Sequence, residues 1–214
     1  MHKISPNILL FGANGQLGSK LKGLLATRGT LRAVGHSELD LRDPARLRAL
    51  ILETNPSLIV NAAAYTAVDA AESDAENAHL VNAEAPRVMA EAARERNALF
   101  VHYSTDYVFA GMAHTPYTEA SPVSPLGVYG ASKLAGEQAV AESGAAHLIL
   151  RTAWLYSNRG KNFLNTMLRL AAERDELRVV NDQSGCPTYA DLVADASVQM
   201  LDGMFVGGTL RTEH

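Results

Sequence analysis

Tyr129 and Lys133 stand four residues apart in the run Tyr129-Gly130-Ala131-Ser132-Lys133. On a helix that spacing puts a phenol and an ammonium on one face, where both can act on a single substrate atom. An isolated phenol has a pKa of about 10 and is a poor acid or base at neutral pH. A neighbouring cation favours the phenolate, so Lys133 is expected to lower the Tyr129 pKa into a useful range. Ser104-Thr105-Asp106 closes an upstream apolar run and offers hydroxyls for the reacting oxygen. This is the residue set of carbonyl–alcohol redox chemistry. The run Gly12-Ala13-Asn14-Gly15-Gln16-Leu17-Gly18 offers a place for the nicotinamide cofactor such chemistry requires.

Alternating strands and helices must position these groups. Short apolar runs at 7–11, 31–34, 58–60, 99–103 and 147–150 read as strands, several without a polar face. Helical patterns lie between them, at 16–25, from Pro44 to residue 52, over the alanine-rich 70–96, and at 128–142. Proline suits the first turn of the second helix because no hydrogen bond is lost there. Strands apolar on both sides and separated by helices imply a parallel sheet covered on both faces. The fold expected is α/β, a Rossmann-type doubly wound sheet with right-handed crossovers. Residues 109–127 carry Gly111, Pro116, Pro122, Pro125 and Gly127 and read as an exposed loop. Helices at 161–174 and about 191–201 follow, with a strand-like 177–180 between them. We divide the chain into a cofactor-binding domain, 1–153, and a partial substrate-binding region, 154–214.

The glycines of the GxxGxxG run permit a tight turn and close approach of a diphosphate to unpaired N–H groups at a helix start. A plain strand-to-helix turn is the alternative. The second strand ends near Gly35-His36-Ser37, where an acidic residue would hold a ribose 2′-hydroxyl. Glu38 falls twenty positions after Gly18 and can lie past the strand, and no arginine stands at 35–37. His36 and Ser37 tolerate a 2′-phosphate, which puts NADPH ahead of NADH. Small side chains in Asn61-Ala62-Ala63-Ala64-Tyr65 let a cofactor lie against the strand end, or else they pack under a helix. His102 reads as structural, Asp106 as a site residue or a turn cap, and Trp154 as a pocket wall or core.

With 214 residues, 47% hydrophobic and 20% charged, the chain has the make-up of a globular domain with a small appendage. A net charge of −4 gives no electrostatic case for nucleic acid or an anionic membrane. Cys186 is the only cysteine, and the seven histidines form no ligand pattern, so no metal site is expected from spacing. Residues 1–6 lack the apolar core of a signal peptide, and no run is long enough to span a bilayer. A cytoplasmic location is the expectation.

Beyond the motifs already quoted, the chain carries Asn61-Ala62-Ala63-Ala64-Tyr65-Thr66-Ala67-Val68-Asp69, Ser104-Thr105-Asp106-Tyr107-Val108-Phe109 and Arg151-Thr152-Ala153-Trp154-Leu155-Tyr156. Lys161-Asn162-Phe163 and Asn181-Asp182-Gln183-Ser184-Gly185-Cys186-Pro187-Thr188 follow. In these blocks, and in Tyr129-Gly130-Ala131-Ser132-Lys133-Leu134-Ala135-Gly136-Glu137, it resembles the dTDP-4-dehydrorhamnose reductase family of extended short-chain dehydrogenases/reductases. The resemblance implies NAD(P)H-dependent reduction of the 4-keto group of dTDP-4-dehydro-β-L-rhamnose to dTDP-L-rhamnose. Tyr129 would protonate the C4 alkoxide, Thr105 would bond the same oxygen, and Lys133 would also hold the nicotinamide ribose. Gly12, Asn14, Gly15, Gln16, Leu17, Ala62, Ala63, Ala64 and Tyr65 would line the cofactor, with Asp40 and Leu41 near its adenine. Tyr107, Trp154 and Asn162 would line the substrate pocket. A homodimer and Mg2+ also come with the resemblance.

Departures qualify what it implies. Ala110-Gly111 stands where the family commonly has Asp-Gly, and Ala70 where it has lysine. The family pattern also continues past the block ending at Thr188, whereas residues 207–214 do not match that continuation. Cofactor binding is therefore expected to survive better than recognition of the dTDP moiety. Two alternatives stand beside the reductase: another sugar-nucleotide reductase or epimerase, and a non-catalytic regulatory subunit that kept the nucleotide fold.

Overall fold

A computed structural model describes residues 6–206 and 209–210. Expectations that rest on residues 1–5, 207–208 and 211–214, including the mismatched carboxyl end, lie outside the described residues. Five parallel strands, β1 (Asn7–Phe11), β2 (Thr30–Val34), β3 (Leu58–Asn61), β4 (Leu99–Thr105) and β5 (His147–Thr152), form one sheet in the order β2-β1-β3-β4-β5. The order reverses beside β1, and in such sheets the crevice outside the carboxyl ends at that reversal is where ligands bind. β3 and β4 are buried at every position, apolar over Leu58–Val60 and Leu99–Val101 and polar at Asn61, His102, Ser104 and Thr105.

Alternate strand residues feed two cores. Leu9, Phe11, Ile59 and Phe100 pack under α2 (Pro44–Thr54) and α5 (Ala85–Arg96), with Val140 of α6 (Val128–Glu142). Ile8, Leu10, Val60 and Val101 pack under α1 (Gln16–Leu25) and α8 (Ala190–Met204). Asp43 caps α2, its carboxylate accepting from the Arg46 N–H at 3.0 Å, ahead of Pro44 in the first turn. The alanine-rich stretch is not one helix. It breaks into α3 (Val68–Ala71), α4 (Ala75–His79), a π-helical turn Leu80–Glu84, and α5.

Past β5 the chain forms β6 (Leu155–Tyr156), α7 (Phe163–Glu173) and β7 (Thr188–Tyr189), with β6 and β7 paired in parallel. Residues 177–180, expected as a strand, are irregular. They pair with no strand among the described residues, and Val179 and Val180 stay exposed, so apolar character without a neighbouring edge yields no ladder. α8 then returns to the sheet, in the core it shares with α1. Val198 and Leu201 bury against α1, Lys20 pairs with Asp191 at 2.8 Å, and the Tyr103 hydroxyl donates to Ser197 Oγ at 2.7 Å. A short antiparallel pair, β8 (Phe205–Val206) and β9 (Thr209–Leu210), follows.

Two glycines let α1 settle on the sheet. A Cβ at Gly12 would lie 2.6 Å from the Ala62 carbonyl carbon, and one at Gly18 would strike the Gly12 carbonyl. Gly18→Ala must push α1 off β1, and overpacking of this kind costs about 1–3 kcal/mol. A urea melt is expected to show a lower midpoint with an unchanged slope. An unaltered midpoint would mean that α1 has slack at this position.

Candidate active site

A cavity of about 1500 Å³ runs along the carboxyl ends of β1, β3 and β4. Gly12, Asn14, Gly15, Gln16, Leu17, Asp40, Leu41, Ala62, Ala63, Ala64, Tyr65, Thr105, Tyr107, Tyr129, Lys133, Trp154 and Asn162 all line it. The residues singled out from sequence thus share one cleft, although what each side chain does there differs.

At one end β1 turns through Gly12, whose φ of 76° favours glycine, into α1. Gly15 is the N-cap, with no side chain capping the helix and no acidic residue in its first turn. The partial positive charge at the start of α1 is thus left for an anion, and Asn14 to Leu17 border the cavity there. A diphosphate fits this donor set. Farther along, Asp40 accepts from Arg42, at 2.6 Å in its shortest contact, and this pairing draws its carboxyl down to about 2. Arg42 also reaches Asn77 at 3.2 Å and lines the cavity beside His36. The fold therefore brings to the cofactor end an arginine that the 35–37 stretch itself lacks.

At the other end α6 carries Tyr129 and Lys133. A Cβ at Gly130 would meet the Tyr107 carbonyl, so glycine lets this turn of the helix press onto the 3-10 turn Asp106–Val108 that follows β4. The rings of Tyr107 and Tyr129 meet edge to face, 5.5 Å between centres. Thr105 Oγ1 accepts from the Tyr107 N–H and donates to Asp106 Oδ1, each at 3.2 Å. Burial raises the Tyr129 pKa, against a smaller opposing effect of the neighbouring Thr105 hydroxyl. Burial likewise raises that of Asp106. The phenol is therefore held as a proton donor. Ser104 Oγ, buried and bordering the same cavity, has no hydrogen-bond partner. Such an orphan is where a bound ligand's polar atom belongs.

Lys133 departs from expectation. It does not lower the Tyr129 pKa in this structure; its ammonium is turned to β4 instead. Nζ donates to the Tyr103 carbonyl at 2.7 Å and lies 3.3 Å from His102 Nε2. The side chain is fully buried, and loss of water pushes its pKa down to about 8, with Glu137 acting the other way. Burial and the Lys133 charge hold His102 well below the ordinary histidine range.

The remaining wall is mixed. Trp154 is 42% exposed with φ 42°, a strained backbone for a bulky residue, and it borders the cavity rather than joining a core. A Cβ on Gly185 would lie 2.5 Å from its indole, so glycine there lets the ring seat. The Asn162 amide is already occupied: Oδ1 caps α7 through the Asn165 N–H at 2.9 Å, and Nδ2 donates to Gln16 Oε1 at 2.8 Å. Gln16 Oε1 also accepts from Ser157 Oγ at 3.0 Å. The glycine-run side chain thereby ties the cofactor loop to the opposite wall.

Several supports escaped the sequence reading. Asn82, in the π-helical turn, accepts from the Tyr65 N–H at 2.9 Å and donates to the Tyr65 carbonyl and to Ser132 Oγ. Glu72 accepts from the Val128 N–H at 2.8 Å, capping α6 from a distance of 56 residues. Arg151 makes two hydrogen bonds to the buried Glu137, at 2.9 and 2.6 Å. None of these supports has a local signal in the sequence. Among the described residues no three His, Cys, Asp or Glu side chains gather to hold a metal ion, and no helix is long and apolar enough to cross a membrane.

The RmlD substrate binding domain family model matches residues 6–210. A dTDP-4-dehydrorhamnose reductase of Burkholderia thailandensis is 52% identical over 194 residues, covering 91% of this chain and 65% of its own length. One from Escherichia coli is 49% identical over 199 residues, covering 91% and 67%. The solved structure of the Bacillus anthracis dTDP-4-dehydrorhamnose reductase in complex with NADP superposes with a TM-score of 0.88 at 38% identity, over 92% of this chain and 71% of that one. The chain spans about two thirds of the length of these curated relatives.

A buried lysine with a lowered pKa costs stability while it is charged. Between the folded value of about 8 and the ordinary 10.5, the unfolded chain binds more protons, so the lysine's contribution to stability rises with pH across that window. Removing the amine relieves on the order of 3 kcal/mol of this penalty at neutral pH, less what the lost bond to Tyr103 contributes. Lys133→Met is expected to be at least as stable as the parent at pH 7, with the difference turning against it by pH 10. Parallel denaturant melts check this; a pH-independent difference would sink it.

Proposed function

The chain belongs to the RmlD substrate binding domain family, and on that premise we propose that it reduces the 4-keto group of dTDP-4-dehydro-β-L-rhamnose to give dTDP-L-rhamnose, with NADPH preferred over NADH. The observation that carries this reading is a proton-bearing Tyr129 beside Thr105, in the cleft that begins at the open amino terminus of α1. When bound, the nicotinamide cofactor supplies hydride to the sugar C4.

Every other step falls to side chains of this chain. Tyr129 passes its phenolic proton to the developing C4 alkoxide. The Thr105 hydroxyl, held by the Tyr107 N–H, turns its hydrogen from Asp106 to the same oxygen. Donors aimed where charge develops are worth most in a site shielded from water. Lys133, once ribose hydroxyls are within reach, takes the charged form and steadies the phenolate left behind. Gly12, Gly15, Gln16 and Leu17 seat the diphosphate, and Ala62 to Tyr65 let the cofactor lie against β3. His36 and Arg42 meet a 2′-phosphate, which favours NADPH. Tyr107 and Trp154 wall the sugar, and Asn162 shapes that wall through Gln16. We keep 1–153 as the cofactor domain and 154–214 as the partial substrate region, with α8 packed back onto the former. A homodimer in the cytoplasm completes the reading; the expected Mg2+ meets no acidic cluster among the described residues and has no step here.

Titration calorimetry is expected to show NADPH binding first and dTDP-L-rhamnose binding to the NADPH-loaded protein. Oxidation of NADPH should require dTDP-4-dehydrorhamnose and fall about 10²–10⁴-fold in Tyr129→Phe, the usual worth of a positioned proton donor. Absence of turnover in the folded, cofactor-loaded chain overturns the reductase. Turnover without net NADPH consumption would indicate an epimerase.

A further inference from the structure

His102 and Asn61 have no part in the chemistry just described, yet they are buried polar side chains placed side by side. β3 and β4 pair in register with Asn61 opposite His102, so both side chains stand on the sheet face that α6 covers. Neither is solvent-accessible. A continuous polar file runs between them: Ala63 N–H to Asn61 Oδ1 at 3.1 Å, Asn61 Nδ2 to His102 Nδ1 at 3.2 Å, and His102 Nε2 to Lys133 Nζ at 3.3 Å.

The donors and acceptors in this file have one consistent assignment. The Ala63 N–H can only donate, so it fixes Asn61 Oδ1 as its acceptor and turns the Asn61 NH2 towards His102. His102 Nδ1 must then accept, which places the single proton of a neutral imidazole on Nε2. That N–H points at Lys133 Nζ. An ammonium has no lone pair to receive it, whereas a neutral amine does, and the amine can still donate to the Tyr103 carbonyl on its other side. We propose that Asn61 and His102 are positioning residues that weaken the hold of Lys133 on its proton in the ligand-free protein, so that its charge is fully secured only when groups able to accept its protons enter the cleft. This rests on Lys133 serving the reductase reading above.

The lowered proton affinity of the buried amine agrees with this direction. The other groups around the file do not supply the effect. Glu137, one turn along α6, favours the charged amine but is engaged by Arg151 of β5. Tyr129, one turn back, is held protonated and carries no charge. The Tyr103 phenol is turned to the opposite face, where it meets Ser197 of α8. From β3 only the Asn61 amide faces the imidazole, and it is uncharged.

The test is spectroscopic and uses the ligand-free chain. In 15N-histidine spectra, with His102 identified by its loss in His102→Gln, the parent is expected to show the Nε2–H tautomer from pH 5 to pH 9. In 13Cε-lysine spectra, Lys133 is expected to titrate about two units below an ordinary lysine. Asn61→Asp replaces the donating NH2 with an accepting oxygen and still accepts from the Ala63 N–H. It should move the imidazole proton to Nδ1, leave Nε2 as an acceptor for the ammonium, and raise the Lys133 titration by a unit or more, a tenfold or larger change in proton affinity. An Nδ1–H tautomer in the parent, or a Lys133 titration that stays put in Asn61→Asp, overturns the proposal. If Asn61→Asp does not fold, the tautomer of the parent decides alone. A chain that shows the Nε2–H tautomer but never turns over substrate would sink the reductase reading and leave this one standing. An active chain with the Nδ1–H tautomer does the reverse.

Discussion

A primary amine cut off from water is the constraint around which the site end of this molecule is arranged. Such a group tolerates burial only if nearby atoms take up its hydrogens or if it gives up its charge. Lys133 uses the Tyr103 carbonyl for the first purpose. Bringing Nζ there demands that α6 lie close against β4 and the turn after it, and the supports of α6 serve that approach. Gly130 removes a clash with the Tyr107 carbonyl, Gly136 one with the Asn82 carbonyl, and Glu72 satisfies an amide at the helix start. The Glu137–Arg151 pair fastens the next turn to β5. Tyr129 is placed as a by-product of where its helical neighbour must go.

The free protein thus has a proton-bearing phenol bordering the cleft. The phenol keeps its hydrogen because burial favours the neutral form, and Lys133 does not oppose this while it faces His102 and Tyr103. The simple picture of a cation tuning a phenol four residues away omits the strand beneath them, which offers the amine nearer partners.

What could be read from the residues was whatever depends on short-range periodicity. The strands β1, β3 and β4, the glycine turn into α1, Pro44 at the start of α2 and the Tyr129–Lys133 spacing all announce themselves locally. Partners distant along the chain were hidden, because neither residue of such a pair is unusual by itself. Glu72 is an ordinary surface acid until α6 arrives, and Asn82 an ordinary polar residue until Tyr65 and Ser132 close on it. Residues 177–180 failed in the opposite sense. Their composition suits a strand, but a strand needs an edge to pair with, and no local pattern records whether one is available. Asn162 borders the cavity as expected, while its amide is spent on holding α7 and Gln16.

The return of α8 to the core beside α1 has an architectural consequence. Residues 153–189 leave the sheet at β5 and rejoin it at α8, so they form a loop-out fastened at both ends rather than a free tail. Its two anchor points are fixed by strand register on one side and by the Tyr103–Ser197 and Lys20–Asp191 contacts on the other. Between them Ser157 and Asn162 add a further tie, through Gln16. The fold thereby builds one wall of the cleft from a segment outside the five-stranded sheet.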